Sequence, residues 1–221
     1  MPAMRTAASS VLLLLALAAC GGAGSAPAEP RSAKAGAAPS AAPSSSAAPI
    51  GDLALLDEDA ARAALATTEK TPFTAAQIQA ATRPGRTYSW AVERADGPPL
   101  RRVIRFTAVD AERATFVAET ADADGKNAKA DAPEQATWEE LRQHAEFPRL
   151  FVKVTEDRLT VPAGSYDCLV YTVTATTREG TSEVLTFWFA KELPGPPVKL
   201  TVMKDGKLAR SQVLTSHVPG G

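Results

Sequence analysis

The chain predicts a mainly β domain of the α+β type, a curved antiparallel sheet or half-barrel of about eight or nine strands with two or three helices. Three observations carry this. From residue 87 onward apolar residues recur with a period of two, the spacing of a half-buried strand. The alternating runs are separated by Asp, Gly and Pro clusters that favour tight turns. Helix-start signals are confined to a few short segments between the strands.

The elements follow in order. Leu56 to Thr68 is Ala-rich and opens on acids, which suits the positive end of a helix dipole, so a loosely docked helix is expected there. Thr74-Ala75-Ala76-Gln77 has capping-box spacing, and Pro84-Gly85 follows, predicting a short helix over Ala75 to Ala81. In the next run Tyr88, Trp90 and Val92 alternate with Ser89, Ala91 and Glu93. After the turn at Asp96 to Pro99, Leu100, Ile104 and Phe106 share one face of a strand, with Arg101, Val103 and Arg105 opposite. Phe116 and Ala118 alternate with Val117 and Glu119 in the strand after that, so the three runs form an antiparallel meander.

Asp122 to Pro133 is polar and Ala-rich and reads as a loop. Thr137-Trp138-Glu139-Glu140 is a second capping box, with Leu141 at the staple position and Pro148 placed to stop the helix. Trp138, Leu141 and Ala145 fall on one helical face and should dock onto the sheet. The remainder is strand again: Arg149 to Thr155, Asp157 to Ala163, Ser165 to Thr176, Ser182 to Glu192, Val198 to Lys204 and Lys207 to Val218. Glu179-Gly180 and Asp205-Gly206 are hairpin turns, the second framed by Lys204 and Lys207.

The N-terminus has a different character. Arg5 is the only charged side chain before an apolar core, Val11 to Leu17, which ends in Leu17-Ala18-Ala19-Cys20. A core this short does not span about 30 Å of hydrocarbon, a thickness that takes about 20 residues. It reads as a signal h-region over residues 1–19. The string resembles the lipobox of bacterial lipoproteins, which implies cleavage after Ala19 and acylation of the Cys20 thiol. Gly21, where those of enteric bacteria keep an Asp for inner-membrane retention, implies an outer-membrane destination facing the periplasm. Residues 20–54 are almost entirely Ala, Gly, Ser and Pro, too poor in large apolar groups to offset ordering entropy, and read as a disordered tether. A flexible chain of that length averages roughly 30 Å end to end. Residues 55–221 are the folded domain.

Composition excludes several classes. Lys and Arg number 24 against 25 Asp and Glu, a net charge of −1, and no basic stripe suggests nucleic-acid binding. The two cysteines are Cys20 and Cys168, so acylation of the first leaves no intramolecular disulfide. Two isolated histidines, His144 and His217, make no metal motif, and neither a metal nor another cofactor is expected. A cysteine-peptidase reading rests on Asp167-Cys168, which resembles the Asp-Cys of NlpC/P60-type cell-wall peptidases, with His217 downstream. Their cysteine opens a helix, however, whereas Cys168 sits in strand sequence, so no catalytic residue is assigned.

A further likeness lies in the C-terminal half. Pro162-Ala163-Gly164, Tyr166, Trp188-Phe189-Ala190, Pro194-Gly195 and Val198-Lys199 resemble the pattern of bacterial envelope proteins of the TapB type. That resemblance covers about a third of the mature chain and implies a half-barrel similar to LolA and LolB, in which a curved sheet wraps an apolar pocket. The chain departs from the pattern in carrying Pro-Gly-Pro-Pro at the turn before Val198. The expected function is non-catalytic. Either a lipid or acyl chain binds in the half-barrel, with Trp90, Tyr171 and Trp188 lining the cavity, or the domain is a platform for another envelope protein. The membrane is engaged through the N-terminal lipid.

Overall fold

Alternation in the sequence translates directly into one curved antiparallel sheet. The computed structural model describes residues 65–176 and 181–221, all within one compact unit, Pro49–Gly221. Its strands are β1 (Thr87–Arg94), β2 (Leu100–Val109), β3 (Arg113–Asp122), β4 (Lys129–Ala130), β5 (Glu134–Thr137), β6 (Val152–Val161), β7 (Gly164–Thr176), β8 (Ser182–Ala190), β9 (Lys199–Lys204) and β10 (Lys207–Val218). The spatial order is β4-β3-β2-β1-β10-β9-β8-β7-β6, with β5 also pairing with β3. The sheet curls until the tip of the β6–β7 hairpin meets a strand four places away. There the Ala163 N–H donates to the Leu214 carbonyl at 3.3 Å.

Two short helices cover one face of this sheet, called here the inner face. α1 (Ala75–Ala81) and α2 (Trp138–Gln143) each open on the capping box read from the sequence. In α2 the Glu140 N–H donates to Thr137 Oγ1 at 3.1 Å, and the Thr137 N–H returns to Glu140 Oε2 at 2.7 Å. Trp138 is thereby set into the core, its indole N–H donating to the Asp110 carbonyl at 3.2 Å. Thr137→Ala should cost about 1 kcal/mol, as N-cap truncations do, and a thermal melt would register it. Ile78 of α1 and Phe73 just before it enter the same core, Phe73 edge-on to Phe189 with ring centroids 6.3 Å apart.

The turn between β9 and β10 has φ of 47° at Asp205 and 74° at Gly206, both left-handed, as an Asp-Gly hairpin requires. The Glu179-Gly180 turn lies outside the described residues, although β7 and β8 are paired as antiparallel neighbours on either side of it.

Several expectations are corrected. The segment taken as a loop contains β4, and β5 follows it, both short strands laid along the free edge of β3. Helix α2 ends at Gln143, five residues before Pro148; that proline instead makes a β-bridge with Thr68. Arg149 to Phe151 is a 3₁₀ turn closed by the Phe151 N–H on the Pro148 carbonyl at 3.0 Å, so the strand starts three residues later than expected. Glu156 and Asp157 do not break the strand there. β6 is an edge strand, solvated enough to carry consecutive acids, and runs unbroken across them. Of the expected helix over Leu56 to Thr68, residues 56–64 lie outside the described residues; Leu65 and Ala66 are helical and Thr68 is in the bridge to Pro148.

Candidate functional site

Strand register sorts the inner face into rows, and the rows differ in what covers them. Tyr88, Trp90, Val198 and Leu214 are at most 1% exposed. Phe106, Tyr171 and Phe189 are buried with them, beneath α1, α2 and the segment around Phe147. Tyr171 Oη donates to the Lys70 carbonyl at 2.6 Å, and Phe147 packs on Phe187 with centroids 5.1 Å apart. This end of the face is filled with side chains.

The other end is not covered by the helices. Cross-strand pairing links Val152 to Val173, Val173 to Leu185, Leu185 to Val202, Val202 to Arg210, and Arg210 to Arg94. One row across six strands is therefore apolar for four positions and basic for two. Beside it runs a second row of Val154, Tyr171, Phe187, Leu200, Gln212 and Val92. Val202 is buried and Phe187 lies partly under Phe147, while Val152, Val173, Leu185 and Leu200 are half-buried, Val154 is 38% exposed, and Leu150 just before β6 is 50% exposed. Large apolar groups held half in water along a strip are what an incompletely filled half-barrel leaves. Four strands at about 4.8 Å spacing give the apolar part of the row a length of roughly 15 Å.

The basic end is unusual in lacking counter-charges. Arg94, Arg102 and Arg210 occupy the inward parity of β1, β2 and β10, where apolar residues would otherwise stand. Among the described residues no carboxylate lies within ion-pair distance of any of the three, whereas Arg101, Arg142 and Lys204 are paired to Glu119, Glu139 and Glu183. Arg94 Nη2 donates to the Pro98 carbonyl at 3.2 Å, and Arg210 Nη2 to Gln212 Oε1 at 2.9 Å. The Nε groups of Arg94 and Arg210 are buried and unpaired. Burial, and then the charges of Arg102 and Arg94, lower the pKa of Arg210. A hollow of about 170 Å³ opens here, lined by Glu93, Arg94, Ala95, Leu208, Ala209 and Arg210. The signal was available in the sequence: in Leu100-x-Arg102-x-Ile104-x-Phe106 the arginine shares parity with the apolar set, and so does Arg94 after Tyr88, Trp90 and Val92.

The three aromatics expected to line a cavity are not brought together. Trp90 is 1% exposed, its indole N–H donating to the Pro197 carbonyl at 3.2 Å. Tyr171 is buried under the Lys70 segment. Trp188 pairs with Val170 while Phe187 pairs with Tyr171, which puts Trp188 on the opposite face of the sheet. There it stacks beneath Lys199 Nζ, 4.8 Å from the ring centroid, and reaches toward Asp157 Oδ2 at 3.4 Å. Cys20 and Ala19 lie outside the described residues.

Cys168 is in mid-strand and fully buried, and burial together with Glu192, Asp157 and Asp167 pushes its thiol up to about 11. A nucleophilic cysteine needs the reverse shift. Iodoacetamide should leave Cys168 unmodified in the native protein at pH 8 and label it once urea unfolds the domain; rapid native labelling would reinstate a reactive thiol. His217 accepts a hydrogen bond from Arg86 Nε at 3.2 Å and lies 4.9 Å from the Tyr88 ring, so its partners are these two groups. Among the described residues no group of three or more His, Cys, Asp or Glu is arranged to hold a metal.

That histidine supplies a pH dependence. Burial first, and the Arg86 charge second, hold its pKa below the usual 6.5. The unfolded chain therefore takes up the proton before the folded one does, and the stability that neutral His217 contributes is present above pH 6.5 and lost as pH falls through the folded value. Urea unfolding should show weaker stability at pH 5 than at pH 7.5, and His217→Gln, which keeps an acceptor for Arg86, should flatten the difference. An unchanged pH slope in that variant would refute the assignment.

No family model and no curated protein matches this chain. Among solved structures, one described as "Crystal structure of MucB" is similar over 66% of this chain and 57% of that one, with a TM-score of 0.41 and 14% sequence identity. The chain thus spans less than two thirds of that protein's length. Among the described residues no helix is long and apolar enough to cross a membrane.

Proposed function

We propose that this is a lipid-anchored envelope protein whose half-barrel binds the apolar part of a ligand along its uncovered inner row. The observation that carries the reading is the register itself, which lines up Val152, Val173, Leu185 and Val202 beside half-buried Phe187 and Leu200. Val202 is already buried, but half-buried Val152, Val173, Leu185 and Leu200 would contribute more if covered, by about 25 cal/mol for each Å² of apolar surface removed from water. The lipobox at Leu17 to Cys20 supports acylation of Cys20, with cleavage after Ala19, and the Ala/Ser/Pro/Gly segment of residues 20–54 supports a leash that lets the domain of residues 55–221 stand away from its membrane. Gly21 supports the outer membrane as the destination. No catalytic step is proposed, because the one thiol in the domain is buried and held protonated.

Two measurements test this. Cells grown in labelled palmitate should incorporate label into the wild-type protein and not into Cys20→Ser; an unlabelled wild-type protein would sink the anchor. Native mass spectrometry of the gently purified full chain should show a bound acyl compound, and a bare mass together with no uptake of a fluorescent fatty acid would sink the ligand reading.

A second reading is favoured by a different feature. Among the described residues β6 pairs only with β7, so the other edge of this ten-residue strand has no strand partner there, with Leu150 exposed just before it and Val154 exposed within it. A strand from another envelope protein would add there through backbone hydrogen bonds. Substituting exposed Glu156, which lies in β6 outside both apolar rows, with Pro places a residue without an N–H in the edge strand and should abolish such a complex while leaving ligand uptake intact.

A further inference from the structure

We propose that Arg94, Arg102 and Arg210 hold the acidic headgroup of a lipid amphiphile whose hydrocarbon chain lies along Val202, Leu185, Val173 and Val152. The inference rests on the apolar-ligand reading above and specifies what that ligand must carry at one end. Three guanidinium groups sit on the inward parity of neighbouring strands β2, β1 and β10; Arg210 and Arg94 continue the apolar row where it ends, and Arg102, opposite Trp90 on β2, adds its charge to that of Arg210. Charges placed on such a face normally bring a counter-ion, and the sheet supplies one elsewhere: Lys204, in the next row outward, is 2.9 Å from Glu183. Glu93 lines the hollow, but among the described residues no carboxylate comes within ion-pair distance of the three arginines, and two Nε donors are buried without acceptors. Each such donor left unpaired costs free energy that an incoming oxyanion would recover.

The chemistry of the acceptor follows from the donors. Guanidinium forks match the paired oxygens of a carboxylate, phosphate or sulfate, and a hydrogen bond with both partners charged is about twice as strong as a neutral one. A free anion would satisfy the arginines but leave Leu185, Val173 and Val152 half in water; an uncharged lipid would do the reverse. A molecule with an acidic head and a hydrocarbon tail satisfies both, and its head and tail would meet between Arg210 and Val202, which are paired across β10 and β9. The lipid anchor proposed for Cys20 would hold the domain close to a supply of such molecules.

The test uses the full mature chain with myristate, its uncharged methyl ester and inorganic phosphate as probes, at low ionic strength. Myristate should bind at least tenfold more tightly than the ester. Arg102→Gln and Arg210→Gln should each remove most of that preference without weakening the ester. Arg210→Lys, which keeps the charge and loses the fork, should fall between. Because the three positive charges repel one another in the unliganded protein, the glutamine variants should melt at or above the wild-type temperature, an outcome that a purely structural role for the arginines would reverse. Equal binding of acid and ester overturns the headgroup site and leaves the apolar reading standing. Failure of both to bind overturns that reading and the headgroup with it. Phosphate competing at the concentrations at which myristate binds would make this a free-anion site and overturn the amphiphile, as would preferential binding of hexaglutamate.

Discussion

Trp90→Ala should cost the domain about 3–5 kcal/mol, the range for a large aromatic removed from a packed core. The indole is 1% exposed, stacks on Tyr88 with centroids 5.5 Å apart, and anchors the turn before β9 through the Pro197 carbonyl. Its removal leaves a void between β1 and β10 and orphans that carbonyl, so two costs add. Domains of this size are stable by about 5–15 kcal/mol, so the variant would sit near the edge of folding. At roughly 2–4 °C per kcal/mol, the melting temperature should fall by about 6–20 °C. Trp188→Ala is the matched control. Its ring is only half-buried, on the outer face, where it packs at the margin of the core and meets Lys199 and Asp157, so a loss well below that of Trp90→Ala is expected. Similar losses in the two variants would show that the outer face is covered in solution by something further.

That contrast shows what alternation in a sequence conveys. A period of two fixes which residues share a face, and it placed β1, β2, β3 and β7 to β10 close to their observed limits, because each pairs with strong apolar neighbours. Which face turns inward depends on how distant strands are joined. Trp90 and Tyr171 were separated from Trp188 by a register that only the folded sheet sets. The helix caps were legible because a capping box is local chemistry, Thr and Gln or Glu at fixed spacing. β4 and β5 were not, since short strands on the flank of β3 are held by backbone pairing with no apolar alternation of their own. The consecutive acids of β6 imitate a turn for the same reason: an edge strand does not need to exclude water. The arginine cluster was written in the parity of Arg94, Arg102 and Arg210, yet a long charged side chain at an inward position reads as noise until cross-strand pairing sets Arg94 against Arg210 with Arg102 on the same face of the next strand.

Gly195→Ala should destabilise the domain by about 2–6 kcal/mol, combining backbone strain with overpacking. This glycine lies in the Pro194-Gly195-Pro196-Pro197 turn with φ at 147°, a conformation that L side chains rarely adopt. A Cβ there would stand 2.7 Å from Tyr88 Oη and 3.4 Å from its Cζ. The phenol has nowhere to move. Its ring stacks on Trp90 on one side, has Arg86 Cζ 4.9 Å from its centroid and His217 at the same separation, and is 1% exposed. Its hydroxyl is already buried without a hydrogen-bond partner. Tyr88→Phe on its own should therefore be close to neutral or mildly stabilising, because it removes an unsatisfied polar group and keeps the ring. In the double variant the nearest obstruction becomes the ring carbon at 3.4 Å, an ordinary contact, and the overpacking disappears while the strain in φ remains. The two substitutions should be non-additive, with Tyr88→Phe recovering about 1–3 kcal/mol of the loss caused by Gly195→Ala. Urea unfolding of the four proteins in the cycle measures this coupling. A coupling near zero would mean that the turn relaxes away from Tyr88, and that the close approach of Gly195 does not fix the path of the chain into β9.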